Sequence, residues 1–215
     1  MIAHTKMEKL FHSKKETVVN YVAIDFETAN SYPGGACSVA LARFDEEGSL
    51  LDTYYTLIHP KHPYFDPGMT AVHKLKDEEC LAAPQFDRIW PTMRDFIGKD
   101  LLVAHNAVFD MGVLKGCFET YDLEAREMNY LCTLIIARKL WPKMHSYKLS
   151  FLVDYFSMEY QAHYALDDAI MCGKIMHKLC YGHLNEMLDL RRFLITKGIE
   201  PKLIDHQKKD ADFFL

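Results

Sequence analysis

Three short segments with acidic side chains lie far apart in this chain, and they constrain its fold more than any other feature. They read DFET at residues 25–28, HNAVFD at 105–110 and HYALDD at 163–168. Carboxylates that a fold brings together repel one another, and burying them costs several kcal/mol unless a cation lies between them. A pair of divalent metal ions about 3.5–4 Å apart meets this need and catalyses phosphoryl transfer. The segments therefore indicate a chain that folds around a metal site.

The size and composition are those of a globular protein with one core. The chain has 215 residues, of which 49% are hydrophobic and 26% charged, which favours a single domain with short appendages. The longest mainly apolar run, residues 131–137, is too short to span a bilayer. The first twenty residues lack the apolar block of a signal peptide. We therefore expect no membrane association.

The cysteine pattern and the net charge argue against two kinds of protein, a zinc or disulfide protein and a tight binder of duplex nucleic acid. Six cysteines are scattered singly, without a CxxC pair, which favours reduced thiols over a zinc site or a disulfide framework. We therefore expect a cytoplasmic location. The net charge of −5, from 30 acids and 25 bases, argues mildly against tight non-specific binding to duplex nucleic acid. It is compatible with an enzyme that holds one chain end and binds metal ions.

Hydrophobic periodicity predicts strands first and then strands that alternate with helices. The predicted strands cover residues 17–24, 37–44, 51–58, 101–104 and 128–132, with a hairpin turn at 45–48. The predicted helices cover residues 84–97, 133–140, 149–156, 166–180 and 184–197. One more helix is predicted to follow the strand at 101–104, with Asn106 as its cap. Residues 59–70, with three prolines and a glycine, are predicted to form a loop. This order predicts an α/β fold with a mixed sheet covered by helices.

The strand and helix periods predict where the acidic side chains point. Residues i and i+2 of a strand share one side, so Asp25 and Glu27 point the same way while Phe26 packs in the core. The alternative for this pair is a solvated strand end. Asp110 in a first helical turn can project toward the ends of neighbouring strands, where ligands bind in open α/β sheets. Its alternative is an acid that only stabilises the helix N-terminus.

The third segment combines a histidine with two acids. His163 lies on the loop before a predicted helix, so it is free to reach a bound water as a general base does. Asp167 and Asp168 are both candidates for the site, and both can also be plain acids of a first helical turn.

In this order the motifs Asp25-Phe-Glu27-Thr28, Ala104-His105-Asn106 with Phe109-Asp110, and His163-x4-Asp168 resemble the DnaQ-like (DEDDh) 3′–5′ exonuclease family. That family includes the epsilon proofreading subunit of bacterial DNA polymerase III and ribonuclease T. The resemblance covers roughly residues 19–180. It implies a ribonuclease H-like fold with a mixed five-stranded sheet flanked by helices. The corresponding division is an N-terminal arm at 1–17, an exonuclease domain at 18–182, and a C-terminal helix and tail at 183–215.

The resemblance also implies the chemistry. Asp25, Glu27, Asp110 and Asp168 would hold two Mg²⁺ or Mn²⁺ ions, and His163 would activate the attacking water. Asp168 is preferred to Asp167 because the family has four residues between this histidine and the acid. The expected product is a nucleoside 5′-monophosphate released from a single-stranded DNA or RNA 3′ end.

A second set of residues is expected to bind the substrate. By the resemblance these are Thr28, His73, His105, Asn106 and Phe109. After the residue that matches His73 the family usually has a glycine, where this chain has Lys74. For Phe109 the alternative is packing in the core.

Two other functions stay open. One is a ribonuclease T-like enzyme that trims RNA 3′ ends, and the other is a non-catalytic accessory module that binds nucleic acid or the replisome. A DNA polymerase III epsilon-like role in replication or repair suggests a polymerase or a sliding clamp as partner. The tail at 207–215 faintly resembles clamp-binding peptides, and a homodimer is compatible with the family.

Overall fold

A six-stranded mixed sheet lies between two layers of helices in the computed structural model, which describes residues 20–124, 127–181 and 190–204. The strand order is β3-β2-β1-β4-β5-β6. The strands are β1 (Tyr21–Thr28), β2 (Ala36–Phe44), β3 (Leu50–Leu57), β4 (Leu101–Ala104), β5 (Met128–Cys132) and β6 (Lys202–Ile204). Strands β1, β4 and β5 run parallel, and the β1–β2, β2–β3 and β5–β6 pairs are antiparallel. The carboxyl ends of the three parallel strands therefore meet at one edge of the sheet.

Eight helices are described around this sheet. They are α1 (Pro67–His73), α2 (Asp77–Leu81), α3 (Phe86–Ile97), α4 (Val108–Thr120), α5 (Thr133–Leu140), α6 (Leu149–Tyr155), α7 (Ala165–Tyr181) and α8 (Leu190–Lys197). Within the described ranges, none of these helices is long and apolar enough to cross a membrane.

The two faces of β1 supply the two halves of the core. Val22, Ile24 and Phe26 pack with α3 and α4 on one face. Tyr21 and Ala23 pack with α7 and α8 on the other. The expectation that Phe26 faces the core is confirmed, so Asp25 and Glu27 share the face that α7 covers.

Helix α7 packs directly against the sheet at Gly173, next to β1 and β2. A Cβ on Gly173 would overlap the ring of Phe44 on β2, so glycine is the residue that permits the approach. The hydroxyl of Tyr21 also donates a hydrogen bond to the Gly173 carbonyl at 3.0 Å. These contacts fix the height of α7 above the strand that carries the first two acids.

The predicted α/β fold is confirmed, with three corrections to its elements. The sheet has six strands, not five, because Lys202–Ile204 pairs with β5 at the edge. The first strand continues past residue 24 to Thr28, so its acids lie inside a paired strand. Residues 67–70, predicted as loop, begin α1: the Asp66 side chain accepts hydrogen bonds from the Gly68 and Met69 amides, and Pro67 suits a first helical turn.

The prediction that Asn106 caps the fourth helix is wrong. The capping position of α4 is Ala107, and it makes no side-chain capping bond. Asn106 instead takes a left-handed conformation with φ of 60°, which asparagine tolerates well. This turn lets the chain reverse sharply between β4 and α4.

Several predicted features lie outside the described residues. They are the N-terminal arm at 1–17, the start of the first strand at 17–19, the helical segment at 184–189 and the clamp-like tail at 207–215. Within the described part, α8 contributes Leu190, Phe193 and Leu194 to the core beside α7.

Candidate active site

The first two acids lie on the last half of β1, and both carboxylates are partly buried. Asp25 is paired with Ala40 of β2, and Glu27 with Ser38. The pairing register with β2 shifts after Glu27, one residue before the strand ends at Thr28. The sequence therefore places two carboxylates on one face of the central strand, at the edge where parallel strands end.

Asp110 reaches the same edge from the first turn of α4. Its side chain is almost completely buried, with 1% exposed. Its Oδ1 accepts a hydrogen bond of 3.1 Å from the Phe26 amide, which lies between the two acids of β1. This bond ties the helix to the strand, so the prediction that Asp110 projects toward the strand ends is confirmed.

Asp168 comes from the first turn of α7 and is also buried. Its Oδ2 accepts a hydrogen bond of 2.7 Å from the backbone amide of His163. Asp167 faces elsewhere, since its Oδ2 accepts from the Gln161 amide at 2.8 Å. The two acids therefore both hold the loop before α7, Asp168 through the His163 amide and Asp167 through the Gln161 amide.

His163 closes the site from the loop before α7. It is exposed and has a left-handed conformation with φ of 62°. Ligand atoms of Glu27, His163 and Asp168 all lie within 4.8 Å of one another. An exposed imidazole held this near two acids can take a proton from a water bound among them.

The electrostatics of the cluster reflect the burial of four acids close to one another. Burial raises the pKa of Asp25 well above its ordinary range, and the charges of Asp110, Asp168 and Glu27 raise it further. Burial, followed by the charges of Asp168 and Asp110, raises the pKa of Glu27 to about 8. These shifts show that Asp25 lies within strong electrostatic reach of all three other acids.

The two helix-borne acids have smaller shifts because the backbone hydrogen-bonds to them. Burial raises the pKa of Asp110 to about 7, against the opposing bond from the Phe26 amide. Burial raises the pKa of Asp168 to about 6, against the bond and charge of His163. Amide donors stabilise the ionised carboxylate, so these hydrogen bonds oppose the effect of burial on the two acids.

The donor set fits hard divalent cations. Four carboxylates from three elements supply oxygen atoms alone, and carboxylate oxygen suits Mg²⁺ and Mn²⁺. Two divalent cations would neutralise four carboxylates and remove the repulsion that raises their pKa values.

The predicted substrate-binding residues divide into exposed and enclosed ones. Phe109 is 45% exposed on the first turn of α4, so the alternative of core packing is wrong, and Asn106 is exposed as well. Thr28 is partly buried, with its hydroxyl 3.6 Å from the Met69 sulfur. Contact of these residues with substrate stays a prediction.

Two predicted substrate-binding histidines are already engaged within the chain. The Nδ1 atom of His73 accepts from the Leu75 amide at 3.0 Å, and its Nε2 faces the Cys37 sulfur. His105 is hydrogen-bonded through both ring nitrogens, to the Thr133 hydroxyl and the Tyr147 carbonyl. Both rings therefore bind other parts of the chain. Their contact with substrate also stays a prediction.

Lys74 occupies the position where the family motif usually has a glycine. It ends α1 in a left-handed conformation with φ of 59°, which glycine adopts freely and lysine at a cost of about 1 kcal/mol. The backbone turn is therefore retained here without the glycine.

Sequence reasoning did not single out Tyr160, which lines a groove beside His163 and Asp168. Burial, followed by the Asp168 charge, raises the pKa of its phenol. It lies on a segment without periodicity, so no sequence signal marked it.

Comparison with known proteins identifies relatives of this arrangement. The model of the RNase_T exonuclease family matches residues 22–176. A DNA polymerase III PolC-type protein of Clostridium perfringens is 27% identical over 176 residues, which is 79% of this chain and 12% of that protein. A PolC-type protein of Oceanobacillus iheyensis is 30% identical over 133 residues, or 61% and 9%. The chain spans about a quarter or less of the length of the curated relatives that it matches.

Solved structures show the same fold. The nuclease domain of 3′hExo, described as a DEDDh family member bound to rAMP, superposes with a TM-score of 0.68 at 12% identity. That match covers 88% of this chain and 98% of the other. E. coli exonuclease I in complex with a 5cy-dA13 oligonucleotide gives a TM-score of 0.67 at 16% identity, over 83% of this chain and 43% of the other.

Proposed function

This chain belongs to the RNase_T exonuclease family, and from that premise we propose that it is a metal-dependent 3′–5′ exonuclease. Its substrate is a single-stranded DNA or RNA end, from which it hydrolyses the terminal phosphodiester. The family uses divalent metals, and the proposed catalytic domain, residues 18–182, encloses the matched residues 22–176.

One observation carries the proposal. Asp25, Glu27, Asp110 and Asp168 come from three separate elements and gather at one edge of the sheet, where Asp110 accepts from the Phe26 amide and ligand atoms of Glu27 and Asp168 lie within 4.8 Å of one another; the charges of Asp110 and Asp168 raise the pKa values of Asp25 and Glu27. A protein gains no stability from gathering buried acids, so the cluster is a cost that function must explain. We propose that two Mg²⁺ or Mn²⁺ ions bind to these four side chains.

The proposed chemistry assigns a distinct task to each group. Metal ions bound there would polarise the terminal phosphate and stabilise the charge of the departing oxygen. His163 accepts a proton from the water whose oxygen attacks phosphorus. The bond from phosphorus to the 3′ oxygen of the shortened strand breaks, and that oxygen takes a proton from solvent water and leaves as a hydroxyl, while His163 returns its proton to solvent. The other product is a nucleoside 5′-monophosphate.

Relatives support the substrate and the setting. One structural neighbour was solved with rAMP and another with a DNA oligonucleotide, so the proposal includes both nucleic acids. Relatives named DNA polymerase III PolC-type match over 12% or less of their length. A proofreading or repair role beside a polymerase is therefore the setting that we propose. The sliding clamp and a second copy of this chain are weaker candidates for partners.

A digestion of 5′-labelled oligonucleotides tests this proposal. Wild-type protein with Mn²⁺ or Mg²⁺ should shorten labelled single-stranded DNA or RNA into a ladder of labelled products. The Asp25→Ala variant should leave the oligonucleotides intact. Immediate release of the label as a mononucleotide would contradict the 3′–5′ polarity. Absence of any cleavage by wild type would contradict the enzyme and leave the accessory-module alternative.

The two arms of this digestion also separate the candidate substrates. Faster shortening of the RNA arm would favour the ribonuclease T-like alternative, and faster shortening of the DNA arm would favour the proofreading or repair enzyme.

A further inference from the structure

A groove of about 770 Å³ opens beside His163 and Asp168 and runs along α5 and the segment before α6. We propose that this groove binds backbone phosphates of the single strand upstream of the cleaved bond. The proposal rests on the exonuclease function proposed above and adds residues that determine how the enzyme holds a long substrate.

The charges of the groove differ in sign from those of the whole chain. Arg138, His145 and Lys148 line it, and all three are exposed. In the part of the chain that the structure describes, neither Arg138 nor Lys148 forms an ion pair. Asp168 is the sole acid among the described residues of the lining. In a chain of net charge −5, this local excess of basic groups favours a polyanion.

The wall that carries these basic groups is held rigidly to the catalytic edge of the sheet. His105, at the end of β4, donates from Nε2 to the Tyr147 carbonyl at 2.9 Å. Its Nδ1 lies 2.8 Å from the Thr133 hydroxyl, which donates to it. Burial lowers the pKa of His105 to about 4, so the ring stays neutral and keeps this bonding pattern. His105 is therefore a positioning residue for the wall, which is ordered before a strand arrives.

Aromatic rings lie among the basic groups. The Arg138 guanidinium lies 5.8 Å from the centre of the Tyr147 ring, within the range of a cation–π contact. Tyr160, half-buried, lines the groove near Asp168. Basic side chains interleaved with aromatic rings are typical of surfaces that bind single strands without reading sequence.

The chemistry of a 3′ end shows which part of the substrate these groups meet. The terminal nucleotide carries one phosphate, the scissile one, and this phosphate belongs among the four acids and His163. Any further phosphate lies on the 5′ side of the cleaved bond. Arg138 and Lys148 line the same groove as His163 and Asp168, so in the proposed arrangement the phosphates that they contact are the upstream ones.

Substrate length provides the test. The substrates are a 12-nucleotide single-stranded DNA and a thymidine dinucleotide, whose single phosphate is the scissile one. In the double variant Arg138→Gln, Lys148→Gln, kcat/KM should fall about tenfold for the 12-mer and stay unchanged for the dinucleotide. The dependence of log kcat/KM on log salt concentration should become less steep by about 1.4, because two phosphate contacts are lost.

A matched control removes the same two charges elsewhere. Arg94 lies in the last turn of α3 and Lys99 lies just before β4, at the opposite edge of the sheet. The variant Arg94→Gln, Lys99→Gln should therefore leave both substrates unaffected. Binding of a labelled 12-mer gives a second readout. Asp25→Ala protein that also carries Arg138→Gln and Lys148→Gln should bind it about tenfold more weakly than Asp25→Ala protein alone.

Equal losses on the two substrates, equal losses in the control variant, or an unchanged 12-mer would overturn the groove assignment. If wild type cleaves neither substrate with metal, the exonuclease function itself fails. If wild type cleaves both substrates and the groove variant cleaves them equally well, only the groove assignment fails.

Discussion

Replacing His163 with asparagine is expected to lower kcat about 10²- to 10⁴-fold, the usual contribution of a positioned general base. Asparagine suits the test better than alanine because residue 163 has a φ of 62°, which asparagine tolerates. The backbone amide that donates to Asp168 is retained in this variant. Single-turnover hydrolysis of a 5′-labelled oligonucleotide at saturating metal measures the effect.

The control for this variant is His62→Asn, another exposed histidine of the chain, which should keep full activity. Metal affinity separates the two roles that the position of His163 permits. If the variant loses activity and also binds Mn²⁺ much more weakly, then His163 is a metal ligand together with Glu27 and Asp168. Unchanged kcat would remove it from the mechanism altogether.

Replacing Asp110 with asparagine is expected to stabilise the metal-free protein at pH 8 while reducing hydrolysis at least about 10³-fold. The amide oxygen can still accept from the Phe26 amide, as the carboxylate does at 3.1 Å. The substitution removes a buried charge that raises the pKa values of Asp25 and Glu27, which is a gain on the order of a few kcal/mol. Thermal unfolding with a chelator present should show a melting temperature several degrees above wild type.

The pH dependence of this stabilisation follows from the sign of the pKa shifts. The pKa of Glu27 rises from 4.5 to about 8, and that of Asp110 from 3.8 to about 7. The folded protein therefore binds more protons than the unfolded chain between about pH 4 and pH 8, and metal-free wild type loses stability as pH rises through this window. Wild type and Asp110→Asn should converge near pH 4 and separate toward pH 8.

The exposed acid Asp154 provides the control, because Asp154→Asn should leave the melting curve unchanged at every pH. Millimolar Mn²⁺ should raise the wild-type melting temperature most at high pH, where the acids are ionised. A metal-free wild type whose stability rises steadily from pH 5 to pH 8 would contradict the acid cluster.

The central sheet and its acids were predictable because period and chemistry agree there. An apolar strand followed by Asp25 and Glu27 leaves one arrangement that buries Phe26 and turns both carboxylates to the opposite face. Strand β5 and helix α5 begin and end at the predicted residues. Local signals decide such elements, and tertiary contacts only reinforce them.

Other elements depend on contacts that the sequence does not display. Helix α1 exists because Asp66 caps the first turn of a segment whose prolines and glycine are otherwise typical of a loop. Strand β6 has three residues and gains its structure from pairing with β5. The left-handed turn at Asn106 depends on the joint geometry of β4 and α4. Short elements of this kind have too little local preference to be predicted.

The groove beside the acids was also not predictable from the sequence. Arg138 on α5 and Lys148 before α6 are ten residues apart in sequence, and no periodicity connects them. They line one groove because His105 bonds the Tyr147 backbone to the end of β4. The acids could be grouped by their motifs, whereas only the fold shows that these two cations share a groove.

Anomalous diffraction from crystals soaked in Mn²⁺ tests most directly whether these acids share cations. We expect two manganese peaks about 3.5–4 Å apart, each within bonding distance of carboxylate oxygens from Asp25, Glu27, Asp110 or Asp168. Crystals that show no manganese among these four side chains at millimolar Mn²⁺ and pH 8 would contradict the account.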